Sequence, residues 1–240
     1  MAADAKHNRI LLKLSGQALC SPGGSGLDAE RIGAVVTEVL DVVAGAVQLG
    51  IVVGGGNFIR ARDLDNPDIE RVTADYMGML GTVINGLALR DALLGRGADA
   101  CTMSAIPMPT VCEPFSRRAA MARLQAGGIV VFAGGTGSPF FTTDTTAALR
   151  ACEIGADLLV KGTQVDGVYD ADPMVRPDAK RYDRLTYQEA IEQRLGIMDL
   201  AAFTMCRDSR IPIVVCRVGD PGTLAKAARG DPIGTLVADE

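Results

Sequence analysis

Short apolar runs alternate with segments of helical periodicity along almost the whole chain. Residues 10–12 form the first apolar run, which predicts a strand. Residues 28–47 then repeat apolar side chains every three or four positions, which predicts a helix with Asp28 as its N-cap. Gly50 is expected to end that helix, and residues 51–53 to form the next strand.

The same alternation continues to the end of the chain. Further strands are predicted at residues 98–103, 129–132, 158–161, 211–216 and 234–237, and further helices at residues 69–94, 117–125, 145–152, 187–194, 200–207 and 223–229. This order predicts an α/β fold with a mainly parallel sheet that helices cover on both faces. With no internal repeat or linker, we expect a polar leader at residues 1–8 and a single domain at residues 9–240.

The predicted helix at residues 69–94 is apolar around its whole circumference and contains Gly78, Gly81 and Gly86. Each interior glycine costs about 1 kcal/mol relative to alanine, which close packing against another backbone could offset. The pattern fits a central core helix and a subunit interface equally well.

Composition excludes several classes of protein. Of the 240 residues, 48% are hydrophobic, and the net charge is −5 with no Lys/Arg-rich block, which argues against nucleic acid as the main partner. The N-terminus is polar, and its first apolar run is too short for a signal peptide or a membrane span. We therefore expect a cytoplasmic protein without a membrane partner.

Cysteine and histidine usage narrows the chemistry. The six cysteines are scattered without a C-x-x-C pair, and His7 is the only histidine. This argues against a zinc site and against a Ser-His-Asp or Cys-His mechanism. Any catalysis must therefore use Lys, Arg, Asp, Thr and backbone amides.

Four loops follow predicted strands, where open parallel sheets bind ligands. Residues 134–144 contain three glycines, three threonines and Asp144 between a strand and a helix, an arrangement suited to binding an anion. Residues 54–56 are three consecutive glycines, which permit close approach of a ligand. Lys13 and Lys161 each lie near a strand end and could clamp a transferred phosphoryl group, with Asp144 holding their ammonium groups.

These loops, in this order, resemble the bacterial UMP kinases, a branch of the amino acid kinase family. The segments that carry the resemblance are residues 11–16, 54–57, 77–80, 103–107, 136–144, 165–169 and 198–203. The resemblance implies an αβα sandwich and transfer of the ATP γ-phosphoryl group to UMP, giving UDP in pyrimidine nucleotide biosynthesis. It also implies a homohexamer and Mg²⁺ bound through the ATP phosphates, with no direct metal ligand from the protein.

Site residues follow from the matching positions. Catalysis is assigned to Lys13, Asp144 and Lys161. ATP binding is assigned to Lys13, Leu14, Ser15, Gly16, Gly56, Arg60, Thr163, Tyr169 and Asp172. UMP binding is assigned to Gly55, Asp75, Thr136, Gly137, Ser138, Pro139, Phe140, Phe141, Thr142 and Thr143, with Asp75 accepting from the ribose hydroxyls. Asp199 lies in a family motif, and either a functional role or capping of the next helix fits it.

Two alternatives and two departures stay open. The same fold could phosphorylate a carboxylate or carbamate, or the chain could be a nucleotide sensor without turnover. Gln17 stands where the family commonly has Glu, and Ser138 where many members have Asn or Met. The family often shows activation by GTP and inhibition by UTP, which residues 21–26 match only loosely.

Overall fold

The computed structural model describes residues 6–59, 68–173, 175–193 and 195–239. Within them, nine strands form one sheet in the order β4-β3-β5-β2-β1-β6-β10-β11-β9, and β7 pairs with β8 beside it. The strands are β1 Arg9–Leu14, β2 Gln48–Val53, β3 Ala100–Ser104, β4 Glu113–Pro114, β5 Ile129–Ala133, β6 Leu158–Thr163, β7 Val168–Tyr169, β8 Arg181–Tyr182, β9 Arg184–Leu185, β10 Ile213–Arg217 and β11 Thr235–Val237. From β4 to β10 neighbouring strands are parallel, whereas β10 and β11 are antiparallel.

Helices cover both faces of the sheet. They are α1 Ala29–Val43, α2 Arg71–Leu94, α3 Arg117–Gln125, α4 Thr143–Ile154, α5 Tyr187–Glu192, α6 Leu200–Asp208 and α7 Thr223–Arg229. Side chains of a strand alternate between faces, so Leu12 of β1 packs in the core beneath α1, α2 and α7, and Leu11 packs beneath α3 to α6. The predicted α/β class and αβα sandwich are confirmed.

The predicted limits of one helix are wrong. α1 ends at Val43, and β2 begins at Gln48, so Gly50 lies inside the strand. A Cβ atom at Gly50 would lie 2.9 Å from the Phe132 ring and 3.2 Å from Ile154 Cδ1. The glycine therefore makes room for core side chains and does not end the helix.

The four two-residue strands β4, β7, β8 and β9 lie outside the predicted strands, because two residues carry no detectable periodicity.

The long helix α2 fits both interpretations offered for it. Leu89 and Leu93 are fully buried in the core, whereas Tyr76, Leu80 and Ile84 are 41%, 48% and 45% exposed. By length and composition α2 could cross a membrane, a test that core helices of soluble proteins also pass. One side of α2 thus packs on the sheet, and an apolar stripe with four-residue spacing faces outward.

Candidate active site

Two lysines stand side by side at the carboxyl ends of neighbouring strands. β1 and β6 are parallel, and Lys13 pairs directly with Lys161 in their register. Residues paired across parallel strands project from the same face, and Leu11 and Leu159, two positions earlier, lie in the core beneath α4. Both ammonium groups are therefore directed toward the start of α4.

Asp144, the second residue of α4, lies between the two lysines. Its Oδ2 accepts a hydrogen bond from Lys161 Nζ at 2.7 Å, and its Oδ1 lies 2.9 Å from Lys13 Nζ. The Lys13 contact is an ion pair without hydrogen-bond geometry, so Oδ1 has no hydrogen-bond donor among the described residues. The three side chains are 12%, 12% and 17% exposed, so solvent screens these charges only weakly.

Burial and charge set the pKa values of this group. Burial acts to raise the pKa of Asp144, but Lys13 and Lys161 outweigh it and hold the pKa below its ordinary value. Burial also lowers the pKa of Lys161, and Asp144 offsets only part of that shift. The carboxylate is therefore firmly ionised, and it favours the charged form of a lysine that burial alone would disfavour.

Asp199 holds the start of α4 against the start of α6. It is the N-cap of α6, and its Oδ1 accepts from Ala202 N at 2.8 Å. Its Oδ2 accepts from Thr145 Oγ1 at 2.6 Å and from the Thr142 hydroxyl. Capping is thus confirmed, and the carboxylate additionally anchors the helix that carries Asp144.

Lys161 has a second partner in the same region. Its Nζ donates to the carbonyl of Ile197, two residues before Asp199. One short segment therefore fixes both the ammonium group of Lys161 and the first turn of α4.

A first cavity of about 360 Å³ opens on the Lys13 side of this cluster. Residues of the loops after β1, β2 and β5, of α2 and of the first turn of α4 line it, among them Lys13, Ser15, Gly16, Gly54, Gly55, Gly56, Asp75, Thr136, Ser138, Phe141, Thr142 and Thr143. The first turn of α4 borders this cavity, and the N-terminus of a helix carries partial positive charge. The cavity suits an anionic ligand with hydroxyl or amide groups.

A second cavity of about 570 Å³ opens on the Lys161 side. It is lined by four residues that were predicted for catalysis or ATP binding: Lys161, Thr163, Tyr169 and Asp172. It is also lined by residues that were not predicted, among them Gln193, Leu195, Ile197 and Val215. Apolar and aromatic walls with a few polar groups are typical of a site for a planar ligand. The two lysines thus line separate cavities, and Asp144 connects them.

The glycine triplet packs closely against α2. A Cβ atom at Gly55 would lie 2.3 Å from the carbonyl oxygen of Gly78 and 3.0 Å from Thr82 N. Only glycine allows this approach, so the loop and α2 form adjoining walls of the cavity.

Asp75 connects α2 to the loop that precedes α4. Its Oδ2 accepts from the backbone N–H of Phe140 at 2.9 Å, and its Oδ1 accepts from Arg71 Nε at 2.9 Å. Phe140 adopts a φ of 71° and is 67% exposed, an uncommon conformation for a residue other than glycine. The Asp75 carboxylate thus holds a strained loop at the mouth of the first cavity.

Four further predicted residues that the structure describes do not line either cavity. Leu14 is fully buried and its carbonyl accepts from Gly54 N, so its side chain belongs to the core. Gly137, Pro139 and Phe140 lie in the bordering loop without lining the first cavity. Arg60 lies outside the described residues.

Some residues that were predicted to bind ATP lie in the same cavity as residues that were predicted to bind UMP. Ser15, Gly16 and Gly56, predicted for ATP, line the same cavity as the residues predicted for UMP. The carbonyl of Ile197 and the side chains of Gln193 and Leu195 were not predicted. Their position beside Lys161 depends on tertiary contacts, which leave no local pattern in the sequence.

Comparison with known proteins identifies the family of this chain. The model of the amino acid kinase family matches residues 8–217. Uridylate kinase from Methylococcus capsulatus is 51% identical over 231 residues, which are 96% of this chain and 97% of that protein. Uridylate kinase from Yersinia pestis is 49% identical over 240 residues, 99% of this chain and 100% of its own length. The crystal structure of UMP kinase from Bacillus anthracis superposes with a TM-score of 0.94 at 37% identity, covering 98% of this chain and 97% of that one. The chain therefore belongs to the amino acid kinase family, and within it to the uridylate kinases.

Proposed function

We propose that this chain transfers the γ-phosphoryl group of ATP to UMP, giving ADP and UDP. The observation that carries the proposal is the meeting of two cavities at Lys13, Asp144 and Lys161, one lysine lining each cavity. The full-length similarity to uridylate kinases supports the same activity.

The mechanism follows from charge and position. Phosphoryl transfer spreads negative charge over the oxygens of the moving group, and an enzyme accelerates it by aligning the reactants and stabilising that charge. Lys13 and Lys161 supply two ammonium groups from rigid neighbouring strands, and Asp144 keeps them apart from each other and in place. The first turn of α4, whose Asp144 and Thr145 N–H groups are capped by the Thr142 side chain, adds the partial positive charge of a helix N-terminus on the acceptor side.

UMP is assigned to the first cavity and the ATP nucleoside to the second. Asp75, Thr136 and Ser138 supply polar groups around the acceptor, and Thr163, Tyr169 and Asp172 surround the donor nucleoside. Ser15, Gly16 and Gly56 lie on the acceptor side of Lys13, which fits contact with the phosphates that lie between the two nucleosides.

Mg²⁺ is assigned to the phosphates of ATP. Among the residues that the structure describes, there is no group of three or more acidic, histidine or cysteine side chains that could hold a metal ion. Mg²⁺ commonly keeps several waters and binds through substrate phosphates, so the residues present fit an ion delivered with ATP. It would neutralise charge on the donor while the two lysines act on the transferred group.

Release of ADP across a panel of acceptors tests the activity. We expect turnover that requires ATP, Mg²⁺ and UMP, with CMP and AMP as poor acceptors. Turnover with a carboxylate or carbamate but not with UMP would establish the alternative acceptor, and no turnover with any acceptor would contradict the kinase.

Substitution of one lysine separates a kinase from a nucleotide sensor. Lys161→Ala is expected to lower kcat by about 10²–10³-fold with a much smaller loss of UMP affinity, because the charge acts chiefly in the transition state. Lys226→Ala, an exposed lysine of α7 on the opposite face of the sheet, is the matched control and should leave kcat unchanged.

We also propose a homohexamer in which the outward stripe of α2 is a subunit interface. Val72, Tyr76, Leu80 and Ile84 recur every four residues and remain 37–48% exposed in the single chain. Glutamate at Leu80 and Ile84 should reduce the mass measured by sedimentation, whereas Leu200→Glu at an exposed site on the other face should not. An unchanged mass would exclude this stripe from the interface.

Three further proposals rest on the family resemblance and the composition. GTP is proposed to activate and UTP to inhibit, which the same ADP assay tests by adding each nucleotide. Residues 9–240 are proposed to form one domain, since nine of the strands, including the first, β1, and the last, β11, share one sheet, and a single unfolding transition is expected. A cytoplasmic location is proposed from the unpaired cysteines, and cell fractionation tests it.

A further inference from the structure

A pair of buried amide side chains joins the glycine triplet to α2. Asn57 follows the triplet and is 2% exposed, and Asn85 lies on α2 and is fully buried. Asn57 Nδ2 donates to Asn85 Oδ1 at 3.0 Å, and Asn85 Nδ2 donates to Asn57 Oδ1 at 2.7 Å. Neither side chain lines the first or the second cavity.

The second hydrogen of each amino group is bound by the backbone. Asn85 Nδ2 donates to the carbonyl of Gly54, and Asn57 Nδ2 donates to the carbonyl of Gly26, each at 2.7 Å. These two carbonyls fix the orientation of both amides, because a flipped amide would place its oxygen against a carbonyl oxygen. All four N–H hydrogens of the pair are therefore used.

These bonds hold the triplet at both of its ends. Gly54 opens the triplet, and Asn57, the residue that follows it, also accepts from Gly26 N through its own carbonyl at 3.0 Å. On the opposite side, a Cβ atom at Gly16 would lie 2.3 Å from Asn57 Oδ1. The amide pair thus sits between α2, the triplet and the turn after β1.

We propose that Asn57 and Asn85 are positioning residues for phosphoryl transfer. They fix the backbone of Gly54, Gly55 and Gly56 relative to α2, so that this loop and Lys13 face the same phosphate. An apolar pair of equal size could fill the space, but it would leave the carbonyls of Gly54 and Gly26 without these donors. The inference rests on the proposed function, because it assigns the loop to that reaction.

Asn85→Asp tests the proposal with almost no change in size. The carboxylate can still accept from Asn57, but it cannot donate to Gly54, whose carbonyl it would repel. Because a shift of about 1 Å in a reacting group costs about 10²-fold in rate, we expect kcat at saturating ATP and UMP to fall by about tenfold or more. UMP affinity, measured by calorimetry, should change by only about threefold, since binding is less sensitive to alignment than the transition state.

Two further variants make the test decisive. Gln125→Glu applies the same chemical change at an exposed residue of α3 and should leave kcat unchanged. Asn85→Ser is smaller and neutral, so it provides the measurement if Asn85→Asp does not fold. It should also lose about tenfold in kcat, because a serine hydroxyl cannot replace both N–H groups.

The outcomes distinguish a failure of the proposed kinase activity from a failure of the positioning role of Asn57 and Asn85. Wild-type protein that releases no ADP with UMP refutes the proposed function. An active wild type together with a folded Asn85 variant of unchanged kcat refutes the positioning role alone, even if the variant unfolds at a lower temperature.

Discussion

Asp144→Asn removes the charge between the two lysines while it keeps the size of the side chain. The carboxylate oxygens lie 2.9 Å from Lys13 Nζ and 2.7 Å from Lys161 Nζ. At an effective dielectric constant of about 20, each pair has a Coulomb energy of about 6 kcal/mol. Desolvation opposes much of this energy, and breaking a buried pair costs a net of about 3–5 kcal/mol of stability.

Catalysis should suffer for the same reason. Without the carboxylate, the ammonium groups repel each other and leave the positions that face the phosphoryl group. Lys161, whose pKa burial already lowers, loses the group that favours its charged form. We expect kcat to fall by about 10²–10³-fold, the usual effect of removing one preorganised electrostatic group.

The assay is ADP release at saturating ATP and UMP, with thermal unfolding recorded for each variant. Asp99→Asn is the matched control, because it removes a carboxylate from an exposed ion pair with Arg123. Such a pair is worth about 0–1 kcal/mol, so kcat and stability should barely change. A folded Asp144→Asn enzyme with kcat within about threefold of the wild type would refute the role of Asp144 as organiser.

Three further predictions concern packing, capping and pH. Gly16→Ala should lower turnover by about tenfold or more, because its Cβ would lie 2.3 Å from Asn57 Oδ1. Gly33→Ala on α1 has space, since the nearest atom to its Cβ would be Arg96 Nη2 at 3.7 Å, and it should raise the free energy of unfolding by about 0.5–1 kcal/mol. Unchanged turnover in Gly16→Ala, or a less stable Gly33→Ala, would contradict this packing. Asp199→Ala should cost about 2–4 kcal/mol in denaturant unfolding, and Asp199→Asn should cost less because asparagine still caps α6, so equal losses would exclude the capping contribution. Because the pKa of Asp144 is lowered in the folded protein, the carboxylate stabilises the fold fully above pH 3.8, its ordinary pKa, and this stabilisation is lost as the pH falls through the folded pKa. The difference in free energy of unfolding between wild type and Asp144→Asn should therefore shrink below pH 3.8. A difference that stays constant with pH would argue against an ionised Asp144.

The sequence was sufficient for the layers of the fold and for the chemistry of the strand ends. Alternating patterns located α2 and the long strands, and lysines near strand ends indicated the phosphate chemistry. The largest error in a predicted limit came from Gly50, because a glycine usually marks a helix end and only tertiary packing against Phe132 shows its actual role.

The links across the site could not be predicted from local patterns. Lys13 and Lys161 were expected to act with Asp144 on one phosphoryl group, but their direct pairing depends on β6 lying beside β1, a sheet order that the sequence of elements does not determine. Asp199 reaches Thr142 across 57 residues, and Asn85 reaches Asn57 across 28. Such contacts depend on how α4, α6 and α2 pack on the sheet. They join residues that are far apart in the chain, so no characteristic spacing in the sequence indicates them.

Transfer of label from ATP radiolabelled at the γ-phosphate tests the central claim most directly. If the two cavities hold donor and acceptor on either side of Lys13, Asp144 and Lys161, chromatography after incubation with UMP and Mg²⁺ should show the label in the β-phosphate of UDP. The transfer should fall sharply in Asp144→Asn. Label that appears only as inorganic phosphate, or that remains in ATP with the wild-type protein, would contradict the account.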